Sequence, residues 1–369
     1  MKKIPATLMC LLVTVLVFAQ RTIIGSVVNV TTGAPVAGSS VFVSGTSVGT
    51  SSDQSGKFQL NDVPAGRYDL IISSIGYETN VFGFTTEQLP LRVKVEMAIK
   101  VKELPNVIVE PSVEEGWDKW GQTFRDYFIG YTPNAMNCDI KNEKAIRFRF
   151  YKKSNRVIAY CDEPVLIENK ALGYTIHYQL EDFEVDFKGG ASRFAGYPFF
   201  EDMDKGRKGL QRRWQRARDK AFYGSMMHFM RCLYNDSLLE SGYEVRRMKR
   251  VQNEGKERVR KLYRQRFAAD SVSPKPGTQF FSDRYSNDST EYYERILRQP
   301  DYQDFYSKDN LTADSLIVEE KDGYKALYFI YYLSVMYKNA KEDKAFLTFH
   351  HETRKSFYQR SLILLPNLV

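Results

Sequence analysis

Histidine, cysteine and tryptophan are scarce: the 369 residues hold 4, 4 and 3 of them. That scarcity excludes much chemistry. The histidines are His177, His228, His350 and His351, and no H-E-x-x-H motif contains any of them. A peptidase-type zinc centre needs a His and a Glu three apart on one helical turn, plus a distant His. His350-His351-Glu352 lacks that spacing and a third ligand, so all four read as structural histidines. No G-x-S-x-G elbow offers an activated serine. No G-x-G-x-x-G or P-loop offers a phosphate cradle. The sequence therefore assigns no catalytic, cofactor-binding or metal residue, and no cofactor is expected. No apolar run outside the N-terminus approaches the ~20 residues that span a bilayer. Residues 328–335 come closest, and they are only strand length.

The N-terminus carries the one strong targeting signal. Lys2 and Lys3 precede an apolar run over residues 6–19, broken only by Thr7 and Thr14. Val17-Phe18-Ala19 then offers small or apolar residues for a signal peptidase, and Arg21 ends the run. This is the secretory pattern, so residues 1–19 are expected to be cleaved and the mature chain exported. Cys10 lies inside the run with no small residue before it, and it leaves with the leader. Three cysteines then remain: Cys138, Cys161 and Cys232. An odd count leaves a free thiol or an intermolecular bridge. Cys138 and Cys161 flank a candidate hairpin and are a conceivable pair. The favoured reading is three buried, small apolar side chains.

Charge is unevenly distributed. Residues 205–266 hold 19 Lys or Arg against 6 Asp or Glu, although the whole chain is only +8. The rest of the mature chain is net acidic. Such asymmetry suits an acidic partner. Export makes nucleic acid a poor candidate and favours an anionic envelope component. The plainer reading, which the sequence favours, is a long solvated helix. With 14% aromatic and 43% hydrophobic residues the mature chain can fold, and its length suits two domains.

Residues 22–98 read as β throughout. Short apolar runs at 23–30, 40–43, 57–60, 67–73 and 91–97 alternate with turn residues every eight to twelve positions, as in a sandwich. Asp53-Gln54-Ser55-Gly56 is one such turn. Asp53 is expected to accept from its own downstream amides while Gly56 takes positive φ. Phe58 is then expected in the core.

These residues resemble a known family. Gly25-Ser26-Val27, Gly33-Ala34-Pro35-Val36-Ala37-Gly38, Gly49-Thr50-Ser51-Ser52-Asp53, Gly56-Lys57-Phe58, Pro64-Ala65-Gly66-Arg67-Tyr68 and Ser74-Ile75-Gly76-Tyr77 are similar in order and spacing to the carboxypeptidase regulatory-like domain. The resemblance implies a transthyretin-like (prealbumin-like) β-sandwich. It also implies an exported protein of Bacteroidetes, where the module precedes many outer-membrane receptors and also occurs in standalone exported proteins. It implies no peptidase chemistry, because in the carboxypeptidases the sandwich is an accessory to a separate zinc enzyme. A receptor fragment is disfavoured, since no series of barrel strands follows.

Residues 101–116 read as a linker with Pro105, Pro111 and alternating valines that suit one edge strand. Beyond it Trp117, Trp120, Phe124, Tyr127 and Phe128 recur at helical spacing. Core packing is the plainer reading of that stripe, and a sugar-stacking platform is the sharper one. An antiparallel meander follows over 146–150, 157–161, 165–168, 173–180 and 184–187. Asp182, Glu184 and Asp186 alternate with Phe183, Val185 and Phe187, which predicts a solvated face and a core face. Residues 207–234 predict one long basic helix, and 245–266 a second helix or ribbon. Residues 272–276 read as a break, and 326–336, 345–350 and 361–365 as strands. The last strand stops abruptly, as in a truncated chain. Residues 117–200 also resemble the uncharacterised region that follows the sandwich in the standalone proteins, on Phe128-Ile129-Gly130, Asn137-Cys138-Asp139-Ile140 and Gly196-Tyr197-Pro198-Phe199-Phe200.

The expected fold is mainly β with an α+β second domain. It comprises a leader (1–19), the sandwich (20–100), the linker (101–116), and an antiparallel sheet with a long basic helix (117–369). The expected role is a non-enzymatic, periplasmic or outer-membrane-associated protein whose sandwich docks to an envelope protein. The alternative is an exported hydrolase, acting on peptide or glycan, with the sandwich as accessory.

Overall fold

The computed structural model describes residues 21–100, 110–203, 206–269, 288–321, 324–349, 353 and 355–364. The leader, His350, His351, the 272–276 break and the last five residues lie outside that set. The chain divides into two compact units, one ending at Asp219 and the other beginning at Lys220.

The first unit opens with the sandwich. Strands β1 (Ile23–Asn29), β4 (Lys57–Leu60) and β7 (Leu91–Met97) form one sheet, in the order β4-β1-β7. Strands β2 (Ser40–Val43), β3 (Gly49–Ser51), β5 (Arg67–Ser73) and β6 (Asn80–Thr85) form the other, in the order β3-β2-β5-β6. Strands β3 and β6 escape the sequence pattern because they are short, Gly-bearing and mostly exposed. The core between the sheets holds Ile23, Val27, Val41, Val43, Phe58, Leu70, Ile72 and Phe84. The Asp53 turn closes as its residues dictate. Its carboxylate accepts from the amides of Ser55 (2.8 Å) and Lys57 (2.9 Å), and Gly56 has φ 75°. The Ser55 hydroxyl, donating at 2.7 Å, is the main reason the Asp53 carboxyl sits below the usual range.

The rest of this unit is a seven-stranded antiparallel sheet. It comprises β8 (Ser112–Glu115), β9 (Cys138–Ile140), β10 (Ile146–Tyr151), β11 (Arg156–Cys161), β12 (Val165–Asn169), β13 (Tyr174–Asp186) and β14 (Ala191–Asp202). Strand β8 is the edge strand that the linker valines predict. Strand β13 is one continuous element where the sequence predicts two; a bulge between Leu180 and Asp182 carries it through. β14 pairs along its whole length on one edge, while β12 and β11 share the other.

Helix α1 (Trp117–Phe124) covers this sheet, and its aromatic stripe is core. Phe124 is fully buried, 4.7 Å from the Phe183 ring and 4.8 Å from Phe128. Trp117 packs on Phe124 and Phe148, and Phe128 meets Tyr178 and Phe194. Tyr127 points outward. Phe183 and Val185 are buried as expected, but Phe187 is not core; it is exposed and stacks on Trp120.

Helix α2 (Lys208–Phe222) is clasped to the β12–β13 turn. The Trp214 indole donates to the Lys170 carbonyl at 3.1 Å. Its ring lies so close to Gly173 (φ 69°) that a Cβ there would stand 2.0 Å away. Arg218 donates to the carbonyls of Leu172 (2.8 Å) and Gly173 (3.1 Å) and to Asp202 (2.6 Å). Its guanidinium stacks 3.6 Å above the Tyr174 ring.

The second unit is built on a sheet of β15 (Tyr243–Gln252), β16 (Tyr302–Tyr306), β19 (Tyr332–Lys341) and β20 (Tyr358–Leu364), in the order β16-β15-β19-β20. The pair β17 (Ile317–Lys321) and β18 (Tyr324–Leu327) stands apart from it. Helices α3 (Met226–Tyr234), α4 (Glu254–Ala269), α5 (Asp288–Leu297) and α6 (Lys344–Phe349) complete the unit. Phe229, Leu233, Tyr243, Val245, Leu316, Leu333 and Tyr337 form its core.

Three expectations fail here. The single helix over 207–234 is two helices. Gly224 adopts φ 86° and Ser225 caps α3, its hydroxyl accepting from the His228 amide at 3.2 Å. The segment 245–266 is a strand followed by a helix, joined at Asn253, whose side chain accepts from the Lys256 amide at 3.1 Å. The expected strand at 345–350 is helix α6 over 344–349. Among the described residues no helix is long and apolar enough to cross a membrane.

Phe124→Ala is expected to cost about 3–5 kcal/mol, because it empties the middle of an aromatic cluster. Tyr127→Ala, on the exposed side of the same segment, is expected to stay within about 0.5 kcal/mol. Guanidinium unfolding of both variants checks the contrast.

Candidate functional site

The site lies where the sandwich meets the larger sheet of the first unit. In β2 and β5, Val41, Val43, Leu70 and Ile72 face the sandwich core. Phe42 and Ile71 pair across the strands and point the other way, yet they are 2% and 0% exposed. The outer face of that sheet is therefore also covered. Phe42 lies against Phe199 of β14, ring centroids 5.6 Å apart.

The hairpin turn between β2 and β3 reaches β14 by its backbone. The Gly45 amide donates to the Pro198 carbonyl (2.9 Å), and the Phe200 amide donates to the Thr46 carbonyl (3.0 Å). The sandwich thus adds its own turn to the outer edge of β14. Gly49 makes the approach possible, because a Cβ there would stand 2.6 Å from the Phe199 ring.

Beside this junction opens a cavity of about 560 Å³. Ser40, Ser47, Thr50 and Ser51 line the sandwich wall; His177, Phe199, Glu201 and Asp202 line the other. His177 and Phe199 are register partners on β13 and β14, and Glu201 follows two residues on, so all three share one face of the sheet. His177 Nε2 lies 3.2 Å from Glu201 Oε2. Asp202 is held by Arg218. The volume suits a small ligand. The hydroxyls and imidazole can donate and accept hydrogen bonds, the carboxylates of Glu201 and Asp202 accept them, and the Phe199 ring gives one apolar surface. The His177 ring is oriented by a carboxylate, but no hydroxyl or thiol is hydrogen-bonded to it among the described residues. The arrangement is a polar pocket with one aromatic wall, suited to holding a small polar ligand.

The other candidates find plainer places. Glu184 pairs with Arg156 (3.0 Å) and Arg193 (2.9 Å), and Asp182 with Arg193 (3.0 Å). Asp186 accepts from the amides of Lys188 and Gly189. The acidic cluster is thus consumed by arginines and a turn. Cys138, Cys161 and Cys232 are free and buried. Burial raises the thiols of Cys138 and Cys161 above their ordinary value. Among the described residues no three His, Cys, Asp or Glu side chains converge as a metal site. His228 is enclosed by Phe222, Tyr223, Tyr243 and Tyr337. Its Nδ1 accepts from the Gly224 amide (3.3 Å) and lies 2.8 Å from the Tyr243 hydroxyl. Burial holds its pKa below the ordinary 6.5.

The sequence identified none of the cavity as a site. His177 was singled out only as a structural histidine. Thr50 and Phe199 lie in segments that carry the family resemblance, Ser40 and Glu201 in none, and no chemistry marks any of them; only pairing across four strands brings them together.

This geometry defines a seven-stranded sandwich module fastened to a larger sheet. Residues 23–109 match the CarboxypepD_reg-like domain family, so this part of the chain is a carboxypeptidase regulatory-like domain. The chain is 35% identical over 83 residues to the TonB-dependent receptor SusC of Bacteroides thetaiotaomicron, a match covering 22% of this chain and 7% of the receptor. It therefore spans a small fraction of that relative. A type II cohesin–X-dockerin complex from Acetivibrio cellulolyticus aligns at 26% identity, covering 21% of this chain and 57% of that one, with a TM-score of 0.19. A membrane-associated protein of unknown function from Bacteroides fragilis aligns at 12% identity, covering 44% and 66%, with a TM-score of 0.17.

Gly49→Val is expected to drive the hairpin turn off β14. Hydrogen exchange at the Gly45 and Phe200 amides should then quicken together, while the core amides of β1 and β7 stay protected. His228 gives a pH dependence. Its folded pKa is depressed, so the unfolded state binds the extra proton. Its contribution to stability is present above about pH 6.5 and is lost as pH falls below it. The unfolding midpoint of the second unit should fall as pH drops below about 6.5, and His228→Gln should flatten that fall.

Proposed function

We propose that this chain is an exported, non-enzymatic envelope protein, periplasmic or outer-membrane-associated, in which the regulatory-like sandwich is a docking module. In this reading residues 1–19 are a cleaved leader. The sandwich (20–100) and the linker (101–116) precede the part that meets an envelope component (117–369). The family match and the similarity to one segment of an envelope receptor support the placement. The observation that carries the docking role is the unequal use of the sandwich edges. The β2–β3 turn is already bonded in cis to β14. Strand β6, at the other end of the same sheet, has no strand beyond it among the described residues and exposes Val81 and Phe82. An unpaired edge with apolar side chains invites an added strand from a partner. Docking in cis positions the sandwich, and docking in trans at β6 recruits the partner. The hydrolase alternative would place its site in residues 117–369, near His350, His351 and the carboxylates, and both histidines lie outside the described residues.

The test is crosslinking and capture from native envelopes, using the mature chain and a Val81→Lys/Phe82→Lys variant. A specific envelope protein captured by the parent and lost by the variant is the expected result. Equal capture by both would remove β6 as the docking edge. A stoichiometric bound metal in the purified chain would move the reading toward the hydrolase.

A further inference from the structure

Helix α2 has two unlike sides. Leu210, Trp214, Ala217, Arg218 and Ala221 lie on one, and Trp214 and Arg218 clasp that side to the β12–β13 turn. Lys208, Arg212, Arg216 and Lys220 follow one another every four residues, so they climb the opposite side as a single ladder. Arg213 flanks it. All five are exposed. The ladder is about 18 Å long at 1.5 Å per residue. One acidic residue shares that side, Asp219, and it accepts from Gln215 at 2.9 Å. Among the described residues none of the five cations has a hydrogen bond or ion-pair partner.

Several other cations, among them Arg218 on the clasped side of the same helix, are paired with carboxylates. Arg147 is paired with Asp162, Arg156 with Glu184, Lys170 with Asp139 and Arg218 with Asp202. Like charges four apart repel across each turn of a helix. A solvated helix gains nothing from three such pairs in series, whereas an opposing sheet of negative charge turns each repulsion into attraction. A helix face can meet a flat surface along its whole length.

We propose that α2 is a membrane-surface site whose ladder of Lys208, Arg212, Arg216 and Lys220 lies against the phosphate-bearing headgroups of an anionic phospholipid leaflet. This is independent of docking at β6, so either can fail alone. The attraction is electrostatic and peripheral, with no inserted helix.

The test is co-sedimentation of the mature chain with vesicles of phosphatidylglycerol and phosphatidylcholine, and with vesicles of phosphatidylcholine alone. Binding is expected only to the anionic vesicles. It should disappear at about 1 M salt, where the Debye length is about 3 Å. Each neutralised cation should weaken binding about five-fold. Lys208→Gln/Arg212→Gln/Arg216→Gln/Lys220→Gln should therefore bind at least a hundredfold more weakly, and should melt no lower than the parent. Arg212→Lys/Arg216→Lys keeps the charge and should bind like the parent. Equal binding to both vesicle types would overturn the proposal, as would undiminished binding by the quadruple variant. Binding of the parent to soluble dextran sulfate, with none to the anionic vesicles, would make the ladder a polyanion site and overturn it as well. The parent's lipid and salt responses stand even if the quadruple variant does not fold.

Discussion

The first unit depends on one sheet being buried on both faces. Strands β2 and β5 supply the sandwich core with one set of side chains and cover Phe42 and Ile71 with the other. Burying an aromatic and an aliphatic side chain of this size is worth about 1.5–3 kcal/mol each. A sandwich released from its neighbour would return both to water and would free the Gly45 and Phe200 amides. The module is therefore not a bead on a string. Its position is set by apolar area, two backbone hydrogen bonds and the bare Cα of Gly49 against Phe199.

From that junction the rest of the site follows. β14 pairs with β13 along its length, and the docked turn covers the edge at 198–200, which would otherwise be an open template for aggregation. The cavity beside it is lined by two kinds of wall because two sheets from different parts of the chain meet there. Below it, Arg218 ties Asp202 at the end of β14 to the β12–β13 turn, and Trp214 seats α2 on the same turn. One face of that helix, with Trp214 and Arg218, is committed to the fold, and Lys208, Arg212, Arg216 and Lys220 are left to the other. Structural and electrostatic duties are thus separated by the helical period.

Much of this was legible beforehand. The turn at Asp53 to Gly56 follows from an Asx residue and a glycine, and both do what local chemistry requires. The stripe of Trp117, Phe124 and Phe128 follows from helical spacing, and it is core. Alternation identified Phe183 and Val185 as buried but overreached at Phe187, where the strand has already ended at Asp186 and the ring escapes to stack on Trp120. The single long helix over 207–234 failed because its apolar period runs through Gly224 and Ser225, and the backbone there obeys φ and capping instead. The strand expected at 345–350 failed because a short apolar run does not distinguish strand from helix.

By itself the sequence determined the class of the N-terminal module, the elements with strong periodicity, the basic segment and the lack of catalytic motifs. Each of these depends on residues close together in the chain. Only the tertiary structure decided that Phe42 and Ile71 are covered, that Gly45 and Thr46 bond to β14, that His177 meets Glu201, and that Lys208, Arg212, Arg216 and Lys220 face outward. Those facts depend on strand pairing, across 24 residues for His177 and Glu201 and across more than a hundred where the β2–β3 turn meets β14, and on which side of a helix is clasped. Period and propensity within one segment carry no record of what lies across from it.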